Sequence, residues 1–256
     1  MQPALLEVES LTVMRGQRLL CERLALTLRA GEIWAVLGVN GAGKTTLLHT
    51  LAGLLDPAAG RIVLCGTDLR HTARRWVARH LGLLPQYVDD PFPATAFEEV
   101  LAGRHPHLPA LAWETPADEA FARAALAAVG LAEAENRLTT HMSGGERRRV
   151  QLATLITQDA QVWLLDEPTN HLDLTRQVET MRLLQDKAQC GRAVCMALHD
   201  LNLAARWCTH ALLLFGEGAW LAGRTDEVLT GEHLSRAYAH PLQAHIVAGR
   251  QIFLPD

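Results

Sequence analysis

The 256-residue chain predicts an α/β protein. Its sheet-and-helix core follows an N-terminal antiparallel β region and is interrupted by a helical insertion. Three observations carry this reading. Wholly apolar runs of buried-strand character recur at Ile33 to Leu37, Val162 to Leu165, Ala193 to Leu198 and Ala211 to Phe215. The first of them feeds a glycine-rich loop and then a helix. From about Pro91 the chain turns alanine-rich, with helical spacing and little strand signal.

Taken in order, residues 5–30 alternate apolar segments with turns. Leu6 to Val13, Arg18 to Leu20 and Leu24 to Leu28 read as antiparallel strands closed by Ala30-Gly31. Lys44 to Leu51 reads as the first helix, Asp56 to Gly60 as a turn and Arg61 to Leu64 as a strand. Thr72 to His80 is helical, and Leu81 to Leu84 runs as a strand into Pro85-Gln86. Helices follow over Phe97 to Ala102, Ala117 to Val129 and Gly144 to Thr157. The tail reads as one helix, Asp226 to Tyr238, and a short strand pair ending at Phe253. The expected division is a sheet core at 1–90 and 160–225, a helical subdomain at about 91–159, and an extension at about 226–256.

Composition narrows the class. Hydrophobic content of 49% and charged content of 20% are those of a globular protein. The net charge is −4 and no long basic run occurs, so the electrostatics give no support for nucleic-acid binding. Arg147-Arg148-Arg149 is short and falls on a helix, where it reads as a solvated face. The start, Met1 to Leu5, lacks the pattern of a signal peptide, and no apolar run approaches the roughly 18 residues a membrane helix needs. The five cysteines form no CxxC pair and read as reduced core residues of a cytosolic protein. His105 and His107 are the only tight histidine pair, and no partner ligands accompany them.

Gly38-Val39-Asn40-Gly41-Ala42-Gly43-Lys44-Thr45-Thr46 fits the phosphate-loop pattern G-x-x-x-x-G-K-[ST] in its required strand–loop–helix setting. Glycines let backbone N–H groups approach an anion, and the helix N-terminus adds partial positive charge. Lys44 is placed for the β- and γ-phosphates and the Thr45 hydroxyl for Mg²⁺. A second strand, Val162 to Leu165, delivers the adjacent carboxylates Asp166 and Glu167. Asp166 fits the Mg²⁺-binding acid that accompanies a phosphate loop, and Glu167 the general base that polarises water. Ser143-Gly144-Gly145-Glu146 opens a helix with an S-x-x-E capping box. Two glycines are a poor local choice for a helix start, and they suit close approach of an anion.

These motifs, with Gln86, Asn170-His171-Leu172-Asp173 and His199, occur in the order of the ATP-binding cassette (ABC) ATPases, which the whole chain resembles. The resemblance implies a P-loop NTPase (RecA-like) core and two copies closing head to tail on ATP. Lys44 of one copy and Ser143-Gly144-Gly145-Glu146 of the other would hold each nucleotide, with Gly38, Asn40, Gly41, Gly43, Thr45 and Thr46 around the triphosphate. His199 would contact the γ-phosphate, Gln86 would sense Mg²⁺ and the attacking water, and Asn170 to Asp173 would run along the dimer interface. The usual adenine-stacking aromatic is replaced at the matching position by Arg15, whose guanidinium can also stack. Met142 and Glu146 stand where leucine and glutamine are commonest in the signature.

Within that family the chain looks like the ATPase subunit of bacterial importers for iron–siderophore, haem or cobalamin. The stretches that carry this are Pro91 to Val100, Gly103 to Leu108, His199 to Ala204 and Glu227 to Thr230. This similarity implies a homodimer, two copies of the ATPase on a separate integral membrane permease, and an indirect partner in a periplasmic or extracellular substrate-binding protein. The chain would sit peripherally on the cytoplasmic face of the inner membrane, touching the permease with residues about 86–108. The alternatives are an ABC ATPase with another cargo, a soluble cassette acting on DNA or ribosomes, and a metabolite kinase. A single cassette without a coiled coil argues against the second, and Ser143-Gly144-Gly145 against the third.

Overall fold

The chain begins as a long antiparallel hairpin. A computed structural model describes residues 2–86, 93–170, 172–247 and 249–256. Strands β1 (Ala4–Arg15) and β2 (Arg18–Arg29) pair directly across the turn at Gly16-Gln17. The three short segments expected here are therefore two strands of 12 residues each. Ser10 and Arg23 adopt left-handed backbone and the β1–β2 register shifts around them, so the strands bend without ending. After β3 (Ile33–Leu37) and α1 (Lys44–Leu51), strand β4 (Ala59–Leu64) returns to β1 and β5 (Thr67–Asp68) pairs with β4. This gives an antiparallel sheet of order β2-β1-β4-β5.

The second sheet is built by crossovers. Helix α2 (Arg74–His80) leads into β6 (Leu81–Leu84), and α3 (Ala96–Leu101), α4 (Pro116–Ala128) and α5 (Gly144–Gln158) precede β7 (Val162–Asp166). Then α6 (Leu174–Gln189), β8 (Ala193–Ala197), α7 (Leu201–Trp207), β9 (His210–Gly216) and β10 (Ala219–Arg224) follow. The order is β10-β9-β3-β8-β7-β6, parallel except for β10, which runs antiparallel to β9. The chain ends with α8 (Thr225–Val228), α9 (Gly231–Tyr238) and the hairpin β11 (Leu242–Val247) and β12 (Arg250–Pro255).

Every residue of β3, β7 and β8 is buried because the sheet separates two cores. Alternation divides the side chains between them. Trp34, Val36, Leu164, Cys195 and Leu212 join α1 and the first sheet, while Ala35, Leu37, Trp163, Leu165 and Met196 face helices α3 to α6. Trp163 is fully buried, and its indole N–H donates to the Ala160 carbonyl at 2.9 Å. Removing such a side chain costs about 3–5 kcal/mol.

Several sequence expectations are corrected. The single helix expected over Asp226 to Tyr238 is broken at Leu229-Thr230, where the Thr230 hydroxyl caps α9 by accepting from the His233 N–H at 3.2 Å. Helices α6 and α7 and strand β10 were not anticipated as elements. Arg147-Arg148-Arg149 is not uniformly solvated: Arg147 is exposed, Arg149 half-buried, and Arg148 only 7% exposed. One helical turn carries them to different faces, and that of Arg148 points toward the sheet. Cys21, Cys195 and Cys208 are buried, Cys65 is half-buried and Cys190 exposed, all as free thiols. Among the described residues no helix is long and apolar enough to cross a membrane.

Candidate nucleotide site

The loop between β3 and α1 needs its glycines. Gly38 has φ +148°, and a Cβ there would meet the Leu214 carbonyl oxygen at 2.8 Å. Gly43, at φ +104°, is the N-cap of α1 and supplies no side-chain cap, so the helix start keeps N–H groups for another acceptor. Lys44 is buried, and its ammonium donates to the carbonyls of Gly38 at 2.8 Å and Val39 at 3.3 Å. Burial pulls its pKa down, while the charges of Glu167 and Asp166 oppose that shift. The Gly38 N–H in turn donates to the Tyr238 hydroxyl of α9 at 3.3 Å.

Strand β7 ends at Asp166, which has no exposed surface. Among the described residues neither carboxylate oxygen has a hydrogen-bond partner. Burial pushes the Asp166 carboxyl above its ordinary range and the neighbouring Glu167 charge adds to this; the nearby Thr45 hydroxyl opposes it without completing a hydrogen bond. Glu167 follows in left-handed backbone, φ +51°, 6% exposed. Its Oε2 accepts from Gln86 Nε2 at 2.8 Å and from Asn170 Nδ2, and its Oε1 pairs with His199 Nε2. The end of β6, the turn after β7 and the end of β8 thus converge on one carboxylate.

A cleft of about 480 Å³ opens beside these groups, and Asp166 and Asn170 lie behind its lining. Asn40, Gly41 and Gly43 to Thr46 form one wall, Gln86, Glu167 and His199 another. Arg15, Arg18 and Leu20 of the β1–β2 hairpin close the third side, which puts Arg15 within the same cleft. Arg18 and Leu20 carried no motif. Tyr238 lies 200 residues from Gly38, so no local pattern joins them.

Ser143-Gly144-Gly145-Glu146 lies elsewhere, in a separate cleft of about 580 Å³ with Arg149, Leu172, Asp173 and Arg176. The expected capping box forms: Glu146 Oε2 accepts from the Ser143 N–H and hydroxyl, both at 2.9 Å, and Ser143 Oγ accepts from the Glu146 N–H at 3.3 Å. Arg137 also donates to Glu146 at 2.8 Å, and this bond first, then those from Ser143, holds the Glu146 carboxyl down at about 2. Asp173 caps α6 by accepting from the Arg176 N–H at 2.9 Å. His171 lies outside the described residues. No described residue lines both clefts.

A phosphate loop beside a paired-carboxylate strand end, on a largely parallel sheet, defines a nucleoside-triphosphate-binding α/β protein. The chain belongs to the ABC transporter family, whose model matches residues 21–170. It is 40% identical to the hemin import ATP-binding protein of Nocardia farcinica, over 93% of this chain and 83% of that one. It is 36% identical to the ferric enterobactin transport ATP-binding protein of Escherichia coli, over 92% and 87% of the two chains. A solved structure described as an inward-facing conformation of a metal-chelate type ABC transporter superposes with a TM-score of 0.86 at 31% identity, covering 99% of this chain and 98% of that one. The chain is thus an ATP-binding, ATP-hydrolysing member of that family.

Proposed function

We propose that this chain powers uptake of a metal chelate (an iron–siderophore, haem or cobalamin) through a separate integral membrane permease. The names of its relatives support that cargo class. The observation that carries the chemistry is the convergence of Gln86, Asn170 and His199 on Glu167 beside the phosphate loop.

Glu167 is the general base. Its left-handed backbone turns the side chain into the cleft, where it can take a proton from water attacking the γ-phosphate. Gln86 and Asn170 orient it, and His199, 43% exposed at the side chain, lines the same cleft, where it would contact the γ-phosphate. Lys44 exchanges its loop carbonyls for phosphate oxygens. Arg15 stacks on adenine. The two unpartnered, buried oxygens of Asp166 fit a divalent cation, which Thr45 and Gln86 would help to hold. Mg²⁺ bound there would offset the charge of the β- and γ-phosphates.

The signature cleft is separate from the phosphate cleft, which favours a two-copy site. Ser143 to Glu146 of one copy would complete the nucleotide site of the other, with Asn170 to Asp173 between them. ATP then shifts an open–closed equilibrium by binding the closed dimer better. The sheet core comprises 1–90 and 160–225, the helical subdomain about 91–159 and the extension about 226–256. The docking surface is residues about 86–108, of which Tyr87 to Phe92 lie outside the described residues. Two copies sit peripherally on the cytoplasmic side of the permease, which a periplasmic or extracellular binding protein loads.

A pull-down tests this reading. Tagged Glu167→Gln chain with ATP is recovered from detergent-solubilised host membranes and its partners identified by mass spectrometry. Recovery of a many-helix permease is expected. Recovery of only ribosomes or DNA-associated proteins, by chain that still binds ATP, would overturn it in favour of a soluble cassette.

A further inference from the structure

Arg148 is a buried cation that no motif explains. It lies in the second turn of α5, five residues after Ser143, and is 7% exposed. Among the described residues its guanidinium makes no hydrogen bond to a carboxylate. Nη1 donates to the Pro85 carbonyl at 2.5 Å and to Gln151 Oε1 at 3.1 Å. Nη2 donates to the carbonyls of Asp166 and of Glu167, the latter at 3.0 Å. Pro85 immediately precedes Gln86. One planar fork therefore holds the backbone of all three residues Pro85, Asp166 and Glu167 from a single position on α5.

Two features make this more than packing. Burying a guanidinium costs desolvation that packing alone does not call for, and here its donors are spent on backbone carbonyls of two separate segments. Glu167 also sits at φ +51°, a conformation that non-glycine residues keep only where the surroundings over-determine it. The Glu167 carbonyl receives the Arg148 bond, its N–H donates to the Ala197 carbonyl at 3.1 Å, and its side chain receives Gln86 and Asn170.

We propose that Arg148 is a positioning residue for hydrolysis: it clamps the Pro85-Gln86 segment and the Asp166-Glu167 turn to the signature helix. The clamp keeps the Glu167 carboxylate and its Gln86 partner in register. It also ties them to Ser143 to Glu146 at the start of the same helix, so a helix shifted by nucleotide moves the base with it. This rests on the catalytic assignment of Glu167 proposed above.

The test compares Arg148→Met, Arg148→Lys and Glu167→Gln in the full-length chain, by ATPase rate against ATP concentration and by thermal melting. Methionine keeps the apolar stem and removes every donor. Lysine keeps the charge and can satisfy only part of the fork. For Arg148→Met the expected result is a kcat about ten- to a hundredfold lower with KM for ATP within about twofold, because misplacement of a reacting group costs turnover more than binding. Arg148→Lys should recover part of that kcat. A folded Arg148→Met with wild-type kcat overturns the proposal. So does a fall in activity that only tracks the folded fraction, or failure of both variants to fold, since either assigns Arg148 to stability alone. Rapid turnover by Glu167→Gln sinks the catalytic reading itself, which separates the two failures.

Discussion

Glu167 and Asp166 are adjacent, yet backbone geometry gives them opposite surroundings. Glu167 leaves β7 in left-handed conformation, faces the cleft and collects three polar partners. Its replacement by glutamine keeps the shape and removes the base. Turnover should then fall by about 10²- to 10⁴-fold, while ATP still binds and a dimer accumulates in gel filtration. Rapid turnover with no dimer would remove Glu167 from this role. Asp166 is buried with neither oxygen partnered among the described residues, and its pKa is raised by burial first. A raised pKa in the folded state means that the protonated form favours folding. That contribution is complete below the ordinary value of 3.8 and is lost as pH rises through the folded value. Asp166→Asn should therefore melt higher than wild type at neutral pH in metal-free buffer, with the gain vanishing in acid. Added Mg²⁺ with ATP should raise the wild-type Tm more than that of the variant. Equal melting at every pH would contradict the uncompensated charge.

At the scale of elements, helix starts organise the helical region. Thr95, Thr115 and Ser143 each form a capping box with the acidic residue three positions on, at the starts of α3, α4 and α5. Asp118 does more than cap. Its Oδ2 accepts from the Thr115 hydroxyl at 2.7 Å and N–H at 3.0 Å, and its Oδ1 accepts from Arg104 at 2.8 Å, fastening α4 to the turn after α3. The Thr115 hydroxyl, then Arg104, hold its pKa at about 2, below the ordinary 3.8. A lowered folded pKa gives stability that is present above 3.8 and lost as pH falls toward about 2. Asp118→Asn should lower the Tm at pH 7, and the difference should shrink across that acid window. A difference that stayed constant down to pH 2 would show that charge is not involved.

Across the whole molecule, distant segments meet at the phosphate loop. The tail reaches it through Tyr238, and the final hairpin is fastened to α7 by Asn202, which exchanges hydrogen bonds with the Phe253 N–H at 2.7 Å and carbonyl at 3.2 Å. On the other side, Arg75 and Arg79 both donate to the Pro106 carbonyl, at 3.0 and 2.6 Å, so the loop assigned to docking is braced against α2 while His105 stays exposed. His105→Glu should leave basal ATPase unchanged and impair transport in vesicles that hold the permease, because His105 does not line the nucleotide cleft and the exchange sets a second carboxylate beside Glu114 on the proposed docking loop. Undiminished transport would move the docking surface elsewhere.

The chain by itself determined the chemistry carried by short, contiguous patterns. The phosphate loop, the Asp166-Glu167 strand end and the Ser143 capping box are local, and the buried strands announce themselves as apolar runs. Helix α6 was less legible because its apolar positions are sparse, α7 because it is only 7 residues long, and β10 because it packs at a sheet edge with most residues only half-buried. Only the tertiary structure decided what meets across the sequence: Gln86, Asn170 and His199 at one carboxylate, Tyr238 at Gly38, and a buried Arg148 where a run of three arginines read as solvated. The physical reason is that periodicity fixes which face of an element is apolar, whereas the partner of a buried polar group is set by how separate elements pack.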